Sequence, residues 1–130
     1  MREFSLTGAD ATPLSVCDWR IDASTDCGIV LMHGLGEHRG RYTHVARFFN
    51  ECGYSVRSYD HRGHGRSGGA RGDVPAAETL AQDASIVIED FAQHLSAKPL
   101  LLGHSMGGLF AAYYATRALS PLGGLILSSP

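Results

Sequence analysis

The spacing of apolar side chains changes along this chain, and each change marks a new element. Phe4 to Leu6 and Leu14 to Ile21 read as short strands, the second alternating in character, and Thr7-Gly8-Ala9-Asp10 between them carries turn residues. An antiparallel hairpin is therefore expected at the start. Gly28 to His33 is a continuous apolar run bounded by turn signals, the pattern of a strand covered on both faces. Tyr42, Val45, Ala46 and Phe49 then fall at i, i+3, i+4 and i+7, one stripe of a helix that Gly53 closes. Tyr54 to Tyr59 follows as a strand. Leu80, Ala84, Val87, Ile88, Phe91 and Leu95 trace the stripe of the longest helix, which Pro99 stops. A strand from Leu100 to Leu102, a helix from Gly107 to Leu119 and a strand from Leu122 to Leu127 complete the order β-β-β-α-β-α-β-α-β. Such alternation predicts the α/β class, with a doubly wound, mostly parallel sheet. Gly68 to Ala77 is the only long polar loop and is too short for a linker, so one domain is expected.

Composition narrows the function classes. A hydrophobic content of 44%, a charged content of 18% and a formal net charge of −2 describe an ordinary globular chain with no demand for an ionic partner. Most of the arginines crowd between Arg39 and Arg71, but they are spread over loops, a helix and a strand, with Glu37, Glu51 and Asp60 among them. The expectation is a solvated face and no nucleic-acid partner. Cys17, Cys27 and Cys52 have neither disulfide-framework nor zinc spacing, which fits reduced thiols and a cytoplasmic setting. Glu3 stands where a signal peptide would begin its apolar core, and no run approaches the ~20 apolar residues of a membrane span.

In open parallel sheets ligands bind beyond the carboxyl ends of the strands, which directs attention to three loops. Gly103-His104-Ser105-Met106-Gly107 is a G-x-S-x-G pentapeptide placed between a strand and a helix, the context of a nucleophile elbow. A very sharp turn presents the serine hydroxyl, and the flanking glycines avoid collisions with the neighbouring strand and helix. Ser105 is the candidate nucleophile; a plain helix N-cap is the structural alternative. His104, next to it on so tight a turn, points away from the hydroxyl and is expected to be a packed, hydrogen-bonded residue. The loop His33 to His38 follows a strand expected beside the Leu100 strand. There the backbone amides of Leu35 and Met106 are expected to converge as an oxyanion hole, with Gly34 and Gly36 permitting the backbone shape; a plain glycine turn with a core histidine is the structural alternative. In the third loop, Asp60 to Gly68, His61 and His64 lack the scaffold and the further ligands of a metal site. No metal is expected; the loop reads as a brace for the oxyanion segment, with Asp60 bonding local amides.

At these residues the sequence resembles the α/β-hydrolase superfamily, and within it the monoacylglycerol lipase and lysophospholipase branch. The resemblance is carried by H-G-L-G-E-H-R-G-R-Y at His33 to Tyr42, D-H-R-G-H-G-R-S at Asp60 to Ser67, and L-L-G-H-S-M-G-G at Leu101 to Gly108, the first being specific to that branch. It implies an eight-stranded sheet, no cofactor, a Ser, His and Asp triad, and a cap after the sixth strand that covers a lipid-accepting pocket and offers peripheral membrane contact. By position it matches Ser105 to the nucleophile and Leu35 and Met106 to the oxyanion donors. Residues 106–130 contain no Asp, Glu or His, so the triad's acid and base are not among them. Residues 1–130 are accordingly expected to form the N-terminal part of a single domain, ending after about the sixth strand and before the cap. The expected function is a serine carboxylester hydrolase cleaving monoacylglycerol- or lysophospholipid-like esters through an acyl-enzyme on Ser105. An acyltransferase and a non-catalytic binding module, both on the same fold, stay open as alternatives.

Overall fold

Each expected element is present in the computed structural model, which describes residues 1–21 and 27–130. Strands β1 (Arg2–Thr7) and β2 (Pro13–Trp19) pair antiparallel, with Arg2 opposite Asp18 and Thr7 opposite Pro13. The turn between them is closed by the Gly8 amide donating to the Thr12 carbonyl at 2.8 Å. Strand β3 (Gly28–Met32) leads through a 3-10 turn (Arg39–Tyr42) into helix α1 (Thr43–Glu51), which ends before Gly53 at φ +89. Strand β4 (Ser55–Tyr59), helix α2 (Ala77–Ala92), strand β5 (Leu100–His104), helix α3 (Met106–Arg117) and strand β6 (Gly124–Ser128) follow. Helix α3 starts immediately after Ser105, one residue earlier than its apolar pattern implied, and β6 starts later, after the Gly123 amide has bonded the Pro99 carbonyl at 2.9 Å.

The strands lie in the order β1-β2-β4-β3-β5-β6, with β2 antiparallel to β4 and β3 parallel to both β4 and β5. Strand β3 is buried along its length because both faces are covered. Its side chains divide by the pleat: Val30 and Met32 join a core with Val87, Phe91 and Ala111, whereas Ile29 and Leu31 join a second core with Ala46, Val56 and Trp19. Helix α1 thus covers one face and helices α2 and α3 the other. From β3 the chain winds to β4 on one side and later to β5 on the other, so the crevice beyond the ends of β3 and β5 is a topological switch point. The edge strand β6 keeps Leu125, Ile126 and Leu127 exposed.

The arginines depart from the expected solvated face. Arg41, Arg47, Arg66 and Arg71 are exposed, but Arg39, Arg57 and Arg62 are buried in ion pairs. Arg57 of β4, only 1% exposed, forks onto Asp18 at 2.7 and 2.9 Å and also reaches the Val87 carbonyl and Asp90. Its guanidinium carbon lies 5.1 Å from the Phe4 ring centroid and 4.8 Å from that of Phe91. Arg62 forks in the same way onto Asp83 and Asp10. The physical reason is the guanidinium itself, a weakly hydrated planar fork that matches a carboxylate and stacks on rings, so it enters a core when both partners are supplied. These pairs tie the hairpin to β4 and α2. Cys17 is a buried free thiol and Cys27 and Cys52 are exposed free thiols. Removing one partner of a buried pair strands the other charge, so Asp18→Ala is expected to lower unfolding free energy by about 3–5 kcal/mol. The joint change of Asp18→Leu and Arg57→Met should recover most of that loss; urea titration of the three proteins checks both statements.

Candidate active site

Ser105 occupies the single residue between β5 and α3, and it does so at φ 53 and ψ −125. A non-glycine residue held on that side of the map costs on the order of 1–3 kcal/mol and persists only where its surroundings dictate it. They do. A β-carbon on Gly103 would lie 2.3 Å from the Gly107 carbonyl oxygen, and one on Gly107 would lie 2.3 Å from the Met32 oxygen and 2.5 Å from the His33 oxygen. Strand, helix and neighbouring strand therefore meet only because both flanking residues lack side chains. Ser105 stands at the N-cap position of α3, yet its side chain makes no capping bond. Its carbonyl accepts from Gly108 and Leu109 at 2.8 and 3.0 Å, and its amide donates to Ser128 at 2.9 Å. The hydroxyl is left exposed with no partner among the described residues.

The loop after β3 closes on this point. A β-carbon on Gly34 would lie 3.3 Å from the Ser105 β-carbon. Gly36 has open space around it but stands at φ +69, so there the glycine answers to conformation, not room. The Gly34 carbonyl accepts from the His33 Nδ1 at 2.7 Å and from the Glu37 amide at 3.3 Å. Because the peptide is planar and trans, anchoring that oxygen turns the Leu35 amide hydrogen the opposite way. The amides of Leu35 and Met106 have no acceptor among the described residues. Met106 opens α3, where helix geometry leaves amides free and the macrodipole is positive. Glu37 and Tyr42, which in the sequence stand only as motif residues and, for Tyr42, as part of the α1 apolar stripe, prove to be joined to this loop. Glu37 Oε2 accepts from the Gly34 amide at 2.9 Å and from the Tyr42 hydroxyl at 2.6 Å. The sequence signal was their presence in the motif at His33 to Tyr42, which does not say what either side chain touches until the loop's shape is known.

Behind this loop lie the buried histidines His33, His61 and His64. His33 Nε2 accepts from the His61 amide at 3.0 Å, and His61 Nε2 donates to the His33 carbonyl at 3.1 Å, the two rings lying 4.3 Å apart. Each bond fixes a tautomer: His33 carries its proton on Nδ1 and His61 on Nε2. Asp60 bonds local amides, those of Arg39 at 2.7 Å and Arg66 at 2.8 Å. The β4–α2 loop is thus fastened to the segment carrying Leu35. His104 bonds Ser128 Oγ at 3.1 Å through Nδ1 and faces Tyr42. None of these histidines hydrogen-bonds the Ser105 hydroxyl in the described residues. A groove of about 380 Å³ is lined by Tyr42, Phe49, Leu102 and His104 and leaves Ser105 outside; another of about 240 Å³ lies between Leu35–Glu37 and Gly63–Gly72.

Burial pushes the pKa of His33 below the ordinary histidine value and that of His61 well below it. In His61 a second proton would go to Nδ1, which is buried without a partner. The unfolded chain therefore binds more protons than the native one below about pH 6.5. Stability is complete above that pH and falls as pH drops, by up to about 1.4 kcal/mol per pH unit for each histidine. Glu3, Asp10 and Glu37 have lowered values and act in a separate window below about pH 4.5. Unfolding free energy measured from pH 7 to pH 5 should decline; a flat profile would show that the histidines are not held neutral.

The model of the serine aminopeptidase S33 family matches residues 23–130. Monoacylglycerol lipase of Mycolicibacterium smegmatis is 36% identical over 129 residues, covering 98% of this chain and 46% of the relative. Human monoglyceride lipase is 33% identical over 126 residues, covering 96% and 42% respectively. Among solved structures, a thermostable carboxyl esterase from Bacillus coagulans in complex with glycerol superposes with a TM-score of 0.85 at 30% identity, covering 97% of this chain and 43% of that one. The chain spans less than half the length of each of these three proteins. With the elbow, the doubly wound sheet and the family match over most of its length in agreement, the chain belongs to the serine aminopeptidase S33 family of α/β-hydrolases.

Proposed function

We propose that this chain supplies the nucleophile and oxyanion hole of a serine carboxylester hydrolase acting on monoacylglycerol- or lysophospholipid-like esters. The observation that carries this reading is Ser105, alone on a strained turn with a free hydroxyl, beside a loop whose Gly34 approaches it closely. Its oxygen attacks the acyl carbonyl, and the negative charge that develops on the carbonyl oxygen meets the preoriented amides of Leu35 and Met106. The alcohol leaves with a proton, an acyl-Ser105 ester remains, and water cleaves it to the free acid. Preorganised donors of this kind lower the barrier because no dipole has to turn as the charge forms.

A base must take the serine proton. His33 and His61 are unsuited, because each uses a ring nitrogen to hold the oxyanion segment and both resist protonation. Among the described residues no histidine hydrogen-bonds the Ser105 hydroxyl, and neither the base nor its acid partner is assigned to one of them. The substrate class is supported by the monoacylglycerol and monoglyceride lipases and by the esterase that binds glycerol. Two exposed thiols with no disulfide suit a reducing, cytoplasmic location.

In the full gene product, an active-site-directed phosphonate is expected to label Ser105 alone, and Ser105→Ala should abolish labelling and lower turnover by about 10⁶-fold. Labelling that survives the substitution would overturn the assignment. A matched panel of monoacylglycerol, lysophospholipid, triglyceride and aminoacyl arylamide tests the substrate class; the single-chain esters should dominate, and a dominant arylamide activity would move the protein to a peptidase role. Leu35 acts through its backbone, so Leu35→Ala should be mild. Leu35→Pro, which deletes the amide hydrogen, should cost about 10² to 10³ in kcat, with circular dichroism confirming that the variant is folded.

A further inference from the structure

We propose that Glu37 is a positioning residue for the acyl-transfer step, its carboxylate clamping the Gly34 amide and so holding the Leu35 amide against Ser105. The proposal rests on the function assigned above to Ser105, Leu35 and Met106.

Four contacts converge on this residue, three of them on its carboxylate. Its Oε2 accepts from the Gly34 amide at 2.9 Å and from the Tyr42 hydroxyl at 2.6 Å, its Oε1 pairs with Arg41 at 3.0 Å, and its own amide bonds the Gly34 carbonyl at 3.3 Å. The turn Gly34–Glu37 is therefore closed twice, once through backbone and once through the carboxylate, and Leu35 lies inside it. The peptide group before Gly34 is held at its amide by Glu37, and the one after it is held at its oxygen by His33 and Glu37. With both flanking peptide planes anchored, the two dihedrals of Gly34 are set, and they determine where the Leu35 amide points. Glycine has the widest conformational range of any residue, so an anchor is most needed there.

The position of the carboxylate argues against a role in simple loop bracing. The β-carbon position of Gly34 lies 3.0 Å from Glu37 Oε2 and 3.3 Å from the Ser105 β-carbon, so the anion stands beside the serine at which an oxyanion is to form. A bare carboxylate there would oppose the reaction. Here its charge is spread over the Gly34 amide, the Tyr42 hydroxyl and the Arg41 guanidinium, and Tyr42 foremost keeps its carboxyl below the ordinary value. The side chain is only 16% exposed, while Arg41 is 61% exposed, so the two hydrogen bonds and not the ion pair set its position.

The test is steady-state kinetics of the full gene product on a monoacylglycerol. Glu37→Ala should lower kcat about 10- to 100-fold, in the range that a misplaced catalytic group costs, with KM changed less than about threefold. Glu37→Gln keeps an oxygen for both donors and should restore kcat to within about threefold, and Arg41→Ala should do no more harm than that. Tyr42→Phe removes one of the two holds on Oε2 and should fall between, which keeps a reading if Glu37→Ala does not fold. With glycine selectively labelled with 15N, the Gly34 amide proton should lie downfield in the wild type and the Gln variant and move upfield in the Ala variant. If Ser105→Ala is inactive but Glu37→Ala keeps its kcat, or if the Ala and Gln variants fall equally, or if the loss lies in KM, the positioning role is overturned. If Ser105→Ala retains activity, the reading of the site itself has failed.

Discussion

A β-carbon placed on Gly107 would stand 2.3 Å from the carbonyl oxygen of Met32, on the next strand of the sheet. That absence of a side chain lets the first turn of α3 sink onto the end of β3, and everything else at the candidate site depends on it. With α3 seated, Gly103 must also lack a side chain, because a β-carbon there would meet the Gly107 oxygen. The backbone between the two glycines has to turn through one residue, and Ser105 is driven to positive φ. The turn is the residue left over when a strand and a helix are packed closer than side chains permit. Its strain, on the order of 1–3 kcal/mol, is borne by the sheet on one side and by the helix hydrogen bonds of Gly108 and Leu109 on the other.

Such a turn is only as firm as its platform. Strand β3 is buried on both faces between two apolar cores, and its neighbours β4 and β5 lie in parallel register with it. The hairpin and α2 are fastened to β4 through Arg57, and to the β4–α2 loop through Arg62, each guanidinium serving more than one carboxylate. Desolvating a charge is costly, so these pairs stabilise only in their complete geometry.

The loops use polar contacts for the same end. His33, His61 and Asp60 connect the β4–α2 loop to the segment carrying Leu35, and Glu37 closes that segment on itself. Each histidine is neutral because burial disfavours its charge, and a neutral ring can both donate and accept, which a protonated one cannot. Two rings thus serve as fixed rods between backbone groups. The hydroxyl of Ser105, by contrast, has no partner among the described residues.

Much of this was legible in the amino-acid order. Helices and strands follow from apolar periods of 3.6 and 2 over windows of about a dozen residues, so their presence and type need nothing but neighbours in sequence. The elbow was legible for a related reason: the glycines beside Ser105 are a steric requirement written within five residues. Other features were decided by the tertiary structure. Arg57 reads as one more surface charge until β4 is placed against β2 and α2, where Asp18 and Asp90 await it. Glu37 reads as a polar loop residue until the turn brings its carboxylate back to Gly34. The tautomer of His61 is set only where two loops from separate strands touch. Local pattern determines which element forms, because it depends on the faces of one helix or strand. The partners of a buried charge or ring nitrogen lie far off in sequence, and only packing chooses them.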